Sequence, residues 1–235
     1  MSEKITIPSI EEMMEAGVHY GHTTSRWHPN AKQYLYGRRG TIHVIDVEKT
    51  REKLEQAANL ASSLSKQGKQ VLFVGVKPLA RKTVKEQAIR SKSPHMTNRW
   101  IGGTLTNPSA IQSMLKRMKK FDEDKASGRL AKYTKREQLD FTEDYEKLNQ
   151  SIGGIRDLSG KPGAVFIVDV KYDKTALAEA RKLKIPVIAL SDSNVDPKKL
   201  SYPIPANDDA LKSIELITKT IADAVLAGKE SNETN

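Results

Sequence analysis

Short apolar segments alternate with longer amphipathic segments along most of the chain, and this alternation limits its fold more than any other feature. The apolar segments are IHVID (42–46), VLFVGV (71–76), AVFIVD (164–169) and VIALSD (187–192), with weaker candidates in HMT (95–97) and YPI (202–204). Continuous apolar runs of this length are typical of strands buried on both faces of a parallel sheet. With helical segments between the strands, the pattern predicts a doubly wound α/β fold.

Helix start and stop signals support the same alternation. Ser9 and Glu12 have the spacing of a capping box, which predicts a short first helix. Residues 48–67 carry apolar side chains at helical spacing, and the glycine that follows is a typical helix end. Further helices are predicted after Pro78, from Asp173 to Lys184, and from Asn207 onward.

The interval between VLFVGV and AVFIVD is too long for one crossover helix, which indicates an insertion. Asn107-Pro108 predicts a helix start there, and Thr134 with Glu137 forms a second capping box. Apolar residues recur at steps of three and four in two stripes: Ile111, Met114, Met118 and Phe121, then Phe141, Tyr145, Leu148, Ile152 and Ile155. The two stripes predict an antiparallel coiled-coil hairpin, with separate packing of the two helices on the sheet as the alternative.

These signals predict three parts of the chain. They are a discontinuous α/β sheet domain (1–106 and 156–228), a coiled-coil hairpin insertion (107–155) and a flexible tail (229–235). No apolar run approaches the roughly 20 residues that cross a bilayer, and the N-terminus lacks the pattern of a signal peptide, so we expect a soluble, cytoplasmic chain with no membrane partner. Without cysteine, any metal site must use histidine and carboxylate ligands.

The formal net charge of +10 predicts an anionic partner. Residues 51–110 hold eleven Lys/Arg and three Asp/Glu, an excess of eight, whereas residues 1–50 hold six of each. Residues 111–160 add an excess of two, and residues 161–235 are balanced. The positive charge is therefore concentrated in one stretch, which favours a polyanion-binding face over the alternative of a solvated lysine-rich helix.

A nucleotide- or phosphate-binding enzyme on the same sheet is the main alternative function. The strand segment VLFVGV (71–76) leads into KPLARK, which lacks the glycines that bring backbone close to a pyrophosphate. GIRDLSGK (154–161) resembles a P-loop but has one residue too many, and Pro162 stands where the Ser/Thr ligand of Mg²⁺ is needed. No G-x-S-x-G sequence occurs. We therefore expect no catalysis, no required cofactor and no small-molecule substrate.

Three of the five histidines lie in GVHYGHTTSRWHPN (17–30). Their spacing matches no common zinc motif, but His22 could meet Asp192 and Asp208, which follow predicted strands and should gather at the carboxyl edge of the sheet. This grouping predicts a divalent-cation site for zinc or magnesium. The alternative is that the histidines hydrogen-bond backbone in a glycine-flanked turn and that the two aspartates cap helices.

Several longer sequences carry a more specific signal: GVHYGHTTSRWHPN, YLYGRRGTIHVIDVEKT, VLFVGVK, NRWIGGTLTN, SIGGIRDL, PGAVFIVDVKYDKTALAEARKLKIPVIALSDSNVDP and YPIPANDDA. In this order they resemble the bacterial ribosomal protein family called small-subunit protein two, over essentially the whole chain. The resemblance implies a flavodoxin-like sheet domain with an inserted coiled-coil hairpin. It also implies a structural role between the head and body of the small ribosomal subunit, contact with ribosomal RNA and neighbouring ribosomal proteins, and help in anchoring small-subunit protein one.

Basic and aromatic residues in these motifs and in the basic stretch are the candidates for RNA contact. They are Arg26, Trp27, Lys32, Arg38, Arg39, Lys77, Arg81, Lys82, Lys85 and Arg99. Three of them, Arg81, Lys82 and Lys85, are expected to share one face of a helix and to meet one phosphate ribbon together. Trp27 could stack on a base or pack within the protein.

Overall fold

The computed structural model describes residues 5–233, with side chains to residue 232, and these residues form eight strands and seven α-helices. The strands are β1 (Tyr20–Thr23), β2 (Leu35–Arg39), β3 (Ile42–Ile45), β4 (Val71–Val74), β5 (His95–Met96), β6 (Ala164–Ile167), β7 (Val187–Ser191) and β8 (Tyr202–Pro205). The helices are α1 (Ile10–Glu15), α2 (Val47–Lys66), α3 (Pro78–Arg90), α4 (Pro108–Ala126), α5 (Lys135–Ile152), α6 (Lys174–Lys182) and α7 (Leu211–Glu233). Short 3₁₀ turns lie at Pro29–Tyr34, Arg129–Lys132, Gly153–Ile155 and Pro197–Lys199.

Five parallel strands form the central sheet in the order β5-β4-β6-β7-β8. Numbered along the chain within this sheet, the order is 2-1-3-4-5, which is compatible with a flavodoxin-like fold. Strands β4, β6 and β7 are buried at every position, as their continuous apolar sequences predict. Phe73 and Phe166 are register partners on β4 and β6, and their rings meet edge to face at 5.4 Å. The mixed α/β architecture with a parallel sheet is therefore confirmed.

The IHVID segment does form a strand, but the strand does not belong to the parallel sheet. It is β3, the middle strand of a separate antiparallel sheet ordered β1-β3-β2, which we call the small sheet. Its register partners on β2 include Arg38 and Arg39, which are exposed. An antiparallel sheet tolerates one solvated face, and the half-exposed pattern of β3 fits that position better than a buried one.

Helices cover both faces of the central sheet. Successive β4 residues point to opposite faces, so Phe73 enters one core and Leu72 enters the other. The first core also contains residues of α1, α2, α3 and α7, and the second contains residues of α6, α4 and the end of α5. Helices α2 and α7 pack so closely that a side chain at Gly228 would collide with the backbone carbonyl of Ser62. Each face of the central sheet therefore shares a hydrophobic core with the helices that cover it.

The local signals for helix starts are largely confirmed. Both capping boxes form, at Ser9 with Glu12 and at Thr134 with Glu137. Asp173 precedes α6 as predicted but does not cap it, since its Oδ2 accepts a hydrogen bond from the Val76 amide at 3.2 Å. The sequence thus predicted where α6 begins. The Asp173 side chain, however, bonds the backbone amide of Val76 and does not cap the helix.

Helix α7 continues to Glu233 and so extends into the predicted tail (229–235), whose flexibility stays a prediction. Lys229 donates hydrogen bonds to the carbonyl oxygens of Ser91 at 2.8 Å and Lys92 at 2.7 Å, which ties this last turn to the end of α3. Residues 234 and 235 of the predicted tail lie outside the described residues. These tertiary contacts could not be predicted from the polar sequence of the segment.

Helices α4 and α5 fall within the predicted insertion and are joined by the Arg129–Lys132 turn. Phe121 and Tyr145 stack between the two helices with their ring centroids 4.6 Å apart. Met118 and Ile152 are fully buried and belong to the second core. The two helices therefore contact each other and are anchored to the sheet, while the limits of the three predicted parts of the chain stay predictions.

Candidate functional site

Four aspartates gather at the carboxyl edge of the central sheet, where the ends of parallel strands must meet. Asp169 follows β6, Asp192 follows β7, and Asp208 with Asp209 follows β8. The first three are buried and Asp209 is exposed. We call these residues, together with Lys77 and His22, the carboxylate cluster. Its members come from separate parts of the chain and are assembled by the fold.

Lys77 supplies an internal cation to this cluster. Its Nζ lies 2.6 Å from Asp209, 3.0 Å from Asp169 and 3.3 Å from Asp208, and it also donates to the Asp208 carbonyl oxygen at 2.7 Å. Burial alone would lower the pKa of the ammonium, but the hydrogen bond to Asp209 and the charge of Asp208 outweigh it and raise that pKa. The structure therefore directs Lys77 toward carboxylates of its own chain and not toward an RNA phosphate.

His22 connects the small sheet to the carboxylate cluster. Its Nδ1 lies 3.0 Å from Asp192 and its Nε2 lies 3.3 Å from Asp209, while its backbone amide donates to the Ser193 hydroxyl at 2.8 Å. The hydrogen bond to Asp192 raises the pKa of the imidazole. At Gly21, a side chain would come within 2.9 Å of the Ser193 hydroxyl oxygen. This part of GVHYGHTTSRWHPN therefore serves to hold the small sheet against the carboxyl edge.

Burial and like charge make Asp208 reluctant to ionise. Burial is the larger cause, followed by the charges of Asp169 and Asp192, and together they raise the pKa of Asp208 to about 7. Asp173, on the adjoining turn, also has a pKa raised to about 7, chiefly by burial. At neutral pH a large fraction of Asp208 is therefore protonated, which limits the negative charge of the carboxylate cluster.

The predicted cation ligands His22, Asp192 and Asp208 do come together, and a second set, which includes Asp209, has its ligand atoms within reach of one ion. His22, Asp208 and Asp209 each offer one ligand atom within 4.8 Å of the others. Asp192 is already engaged, because its Oδ1 accepts from the Ser193 amide, the Ser193 hydroxyl and the His22 amide. The residue types suit a hard or borderline cation. A bound cation stays a prediction.

One group of exposed cations lies on the small sheet and the turns beside it. Arg26, Lys32, Arg38 and Arg39 are all exposed, and within residues 5–232 none of them forms a salt bridge with an acid. Trp27 is 37% exposed and its ring lies 5.2 Å from the ring of His43. We call Arg26, Trp27, Lys32, Tyr36, Arg38 and Arg39 the arginine surface.

Tyr36 was missed in the sequence analysis, although it is 84% exposed on β2. The charge count by 50-residue segment did not reveal the positive charge of the arginine surface. Residues 17–45 contain no Asp or Glu, but the acids of residues 1–16 and 46–50 cancel their charge when the first 50 residues are counted together. A count over a shorter window would have revealed it.

Helix α3 does not present the three-residue basic face that was predicted. Arg81 donates to the carbonyl oxygens of Val76 at 2.9 Å and Asn98 at 3.1 Å, so its guanidinium is held against the backbone. Lys82 and Lys85 are exposed as expected. Lys82 lies 4.0 Å from Glu86, and Lys85 forms no salt bridge among the described residues, so Arg81 is the one of the three that is held against backbone.

Glu179 is a second residue that the sequence did not reveal. Its buried carboxylate accepts hydrogen bonds from the Trp100 indole at 3.0 Å and from the amides of Gly103 at 2.8 Å and Leu105 at 2.9 Å. Burial alone would raise the pKa of Glu179, but these hydrogen bonds outweigh it and lower that pKa. Trp100 thus packs inside the protein, and the same loop leaves Arg99 exposed.

The fold and these surfaces define an α/β protein whose sheet edge carries its own ion cluster and whose unpaired cations lie on peripheral elements. The sequence profile of the family described as Ribosomal protein S2 matches residues 13–228. The protein "Small ribosomal subunit protein uS2" of Salinibacter ruber (strain DSM 13855 / M31) is 44% identical over 220 residues, which are 94% of this chain and 69% of that protein. The chain belongs to the ribosomal protein S2 family.

Membership of this family makes the chain a structural constituent of the small ribosomal subunit and not an enzyme, which confirms the predicted function. The partners of such a protein are the small-subunit ribosomal RNA and other ribosomal proteins. Among the described residues, no helix combines the length and apolar character that crossing a membrane requires.

Replacing Lys77 tests the internal counter-ion. Lys77→Met leaves several carboxylates uncompensated, so we expect a loss of about 3 kcal/mol or more in unfolding free energy at pH 7.5, measured by urea denaturation. The pKa of Asp208 is higher in the folded protein than its ordinary 3.8, so the protonated form favours folding as pH falls. The loss should therefore shrink at pH 5.5. Lys82→Met, at an exposed lysine, is the control, and equal losses in both variants would contradict the assignment.

Proposed function

We propose that the arginine surface is the main contact of this chain with ribosomal RNA. One observation carries the proposal: exposed guanidinium groups without acidic partners lie next to exposed aromatic rings on one small sheet. Guanidinium groups neutralise phosphate, and flat rings stack on unpaired bases, so the combination suits structured RNA with exposed nucleotides. Lys82, Lys85 and Arg99 are additional exposed cations that could extend this contact.

The carboxylate cluster argues against a nucleotide enzyme on the same fold. Doubly wound sheets bind phosphate-containing ligands at the carboxyl edge of the strands, commonly through backbone amides and a helix N-terminus. Here that edge is lined by the carboxyl groups of Asp169, Asp192 and Asp208, which offer oxygen acceptors and not the N–H donors that bind phosphate. The charge of Lys77 is already used within the cluster. The nucleotide- or phosphate-binding alternative therefore has no site to occupy at this edge.

Two further roles stay predictions from the family resemblance. They are a position of this chain between the head and body of the small subunit and help in anchoring small-subunit protein one. Contact with neighbouring ribosomal proteins is consistent with the exposed apolar residues on the hairpin region, such as Leu139 at 59% exposure.

We also propose that α4 and α5 pair as an antiparallel coiled coil. Support comes from the ring stack of Phe121 on Tyr145 and from the half-buried positions of Met114 and Leu148 along the predicted stripes. The guanidinium of Arg156 donates to Tyr145 at 2.8 Å and to Asp122 at 3.1 Å, which joins the base of the hairpin across both helices. The alternative of two independent helices would leave these contacts unmade.

RNA binding can be tested with matched pairs of charge removals. Arg38→Gln with Arg39→Gln should weaken binding to small-subunit ribosomal RNA and flatten the plot of log affinity against log salt concentration by about 0.7 to 0.9 per lost phosphate contact. Lys82→Gln with Lys85→Gln removes the same charge from α3. A larger effect of the α3 pair would move the main contact to that helix, and no effect of either pair would reject both surfaces.

The hairpin proposal can be tested at Met118, which is 1% exposed. Met118→Asp places an unpaired charge in the apolar seam, so we expect about 3 kcal/mol or more of local destabilisation and rapid hydrogen exchange in α4 and α5. Leu139→Asp, on the exposed side of α5, should leave exchange unchanged. Protection of α4 and α5 that persists in Met118→Asp would contradict a shared seam.

We propose that His22, Asp208 and Asp209 can hold one divalent cation, with Asp192 orienting the imidazole from behind. Binding requires that the imidazole lose its Nε2 proton, so affinity should rise with pH. We expect zinc to raise the melting temperature of the parent at pH 8 but not that of Asp209→Asn, with Asp140→Asn as an exposed control. A parent with no stoichiometric metal by elemental analysis, and with melting unchanged by zinc and magnesium, would reject the site.

A further inference from the structure

An open groove runs along helix α4, on the face of the protein that carries the second core. It consists of two adjoining cavities of about 500 Å³ and 380 Å³, and both are lined by Gln112 and Leu115 of α4. The opposite wall is formed by residues 155–162, which lead toward β6. We call this feature the root groove, because it lies where the hairpin leaves the sheet.

The floor of the root groove is aliphatic. Ile111 and Leu115 line it from α4, Leu158 lines it from the opposite wall, and Leu183 lies at one end. Ile111 is buried, whereas the three leucines are half-buried and pack against the second core. A partner that covered these leucines would remove more apolar surface from water, which favours binding.

Hydrogen bonds hold the walls of the root groove in place. Gln70, immediately before β4, accepts from the Ser159 amide at 2.8 Å and donates to the Asp157 carbonyl oxygen at 2.9 Å. At one end of the groove, the Glu179 carboxylate accepts from the Leu105 amide at 2.9 Å. The groove is therefore formed by contacts within the chain itself, which reduces the ordering that a partner must impose.

The rim of the root groove on α4 is positively charged. Lys116 and Lys119 lie three positions apart on this rim and are exposed, and neither forms a salt bridge among the described residues. Two acids also line the groove. Asp122 is paired with Arg156 at 3.1 Å, and Asp157 is exposed on the opposite wall. Acidic side chains of a partner would therefore meet unpaired cations along α4.

The lining of the root groove suits a protein better than RNA. Among the described residues, no aromatic side chain lines either cavity. Single-stranded RNA binds grooves largely by stacking its bases on aromatic rings, and the arginine surface offers such rings. An aliphatic floor instead packs against aliphatic side chains, and the exposed carboxylate of Asp157 repels phosphate. These features favour a peptide segment.

The length of the root groove indicates what kind of segment fits. From Pro108 to Asp122, α4 rises about 21 Å at 1.5 Å per residue. A partner helix of about four turns can lie along this distance, with an apolar residue facing the floor at every third or fourth position. One flank of such a helix would then lie beside Lys116 and Lys119.

We propose that the root groove binds an amphipathic helix of a neighbouring ribosomal protein. Aliphatic residues of that helix would contact Leu115 and Leu158, and its acidic residues would face Lys116 and Lys119. The proposal rests on the role of the family in the small subunit, where other ribosomal proteins are partners, and it specifies a surface and the chemistry of one partner. It does not depend on the arginine surface, which lies on other elements.

The test uses site-directed photo-cross-linking, because the chain contains no cysteine and one introduced thiol can carry the reagent. Gln112→Cys places the thiol at an exposed position of the root groove. Lys212→Cys is the control, at an exposed position of α7, whose core lies on the other face of the central sheet. Each labelled full-length chain is assembled into small subunits with ribosomal RNA and the other small-subunit proteins, and cross-linked peptides are identified by mass spectrometry.

We expect Gln112→Cys to cross-link to a helix of another ribosomal protein with aliphatic residues at steps of three and four and acidic residues along one flank. Lys212→Cys should not give this product. Adding Lys116→Glu and Lys119→Glu should lower the cross-link yield per assembled chain by about tenfold or more, because like charges then face each other. Adding Lys212→Glu and Lys219→Glu on α7 reverses the same charge and should leave the yield unchanged.

Other outcomes would reject the proposal. Cross-links from Gln112→Cys to RNA alone would assign the root groove to RNA, and cross-links to a second copy of this chain would make it a self-association surface. No cross-link at all would show that nothing occupies the groove. If the variant with Lys116→Glu and Lys119→Glu kept its helix content by circular dichroism but failed to join the subunit, these lysines would bind RNA. All of these results leave the arginine surface untouched, because that surface is tested with RNA alone.

Discussion

The ion cluster around Lys77 is the interaction on which the arrangement of this protein depends. Parallel strands buried on both faces must end at a common edge, and here that edge collects aspartates from three strands. Buried carboxylates at such short range cannot all ionise without a cation among them. Lys77 supplies it from the turn after β4, and His22 adds the small sheet to the same network. The cluster thereby connects the central strands with the N-terminal part of the chain.

This arrangement explains why a sheet typical of ligand-binding enzymes serves a structural role. The edge that would bind a nucleotide is filled by side chains that satisfy one another, and Gly21 allows the small sheet to approach Ser193 closely there. What remains for external partners is the periphery. His22 ties the small sheet to the carboxyl edge, and Glu179 ties the loop around Trp100 and Gly103 to α6.

The parts that were predictable from sequence are those governed by neighbouring residues. Continuous apolar runs identified β4, β6 and β7, and both capping boxes formed, because burial on two faces and i to i+3 hydrogen bonds have direct sequence signatures. The sheet to which β3 belongs was not predictable, since a four-residue apolar strand looks alike in either sheet. The inward orientation of Lys77 and Arg81 was equally hidden, because their partners lie across turns or more than a hundred residues away.

Net charge does not distinguish cations that face solvent from cations that are paired inside the protein, for a related reason. A cation such as Lys77, surrounded by carboxylates, is counted in full but exerts almost no field on a partner outside the protein. A cation such as Arg38, in a stretch without acids, exerts its full attraction although its 50-residue segment sums to zero. The useful quantity is therefore the number of exposed cations without a carboxylate within reach, taken over distances comparable with the Debye length. By that measure the small sheet is one positive region of this chain. Segment 51–110 stays another, because only Lys77 and Arg90 pair with acids outside it. Its other exposed cations form no salt bridge among the described residues: Arg51, Lys66, Lys69, Lys85, Lys92 and Arg99.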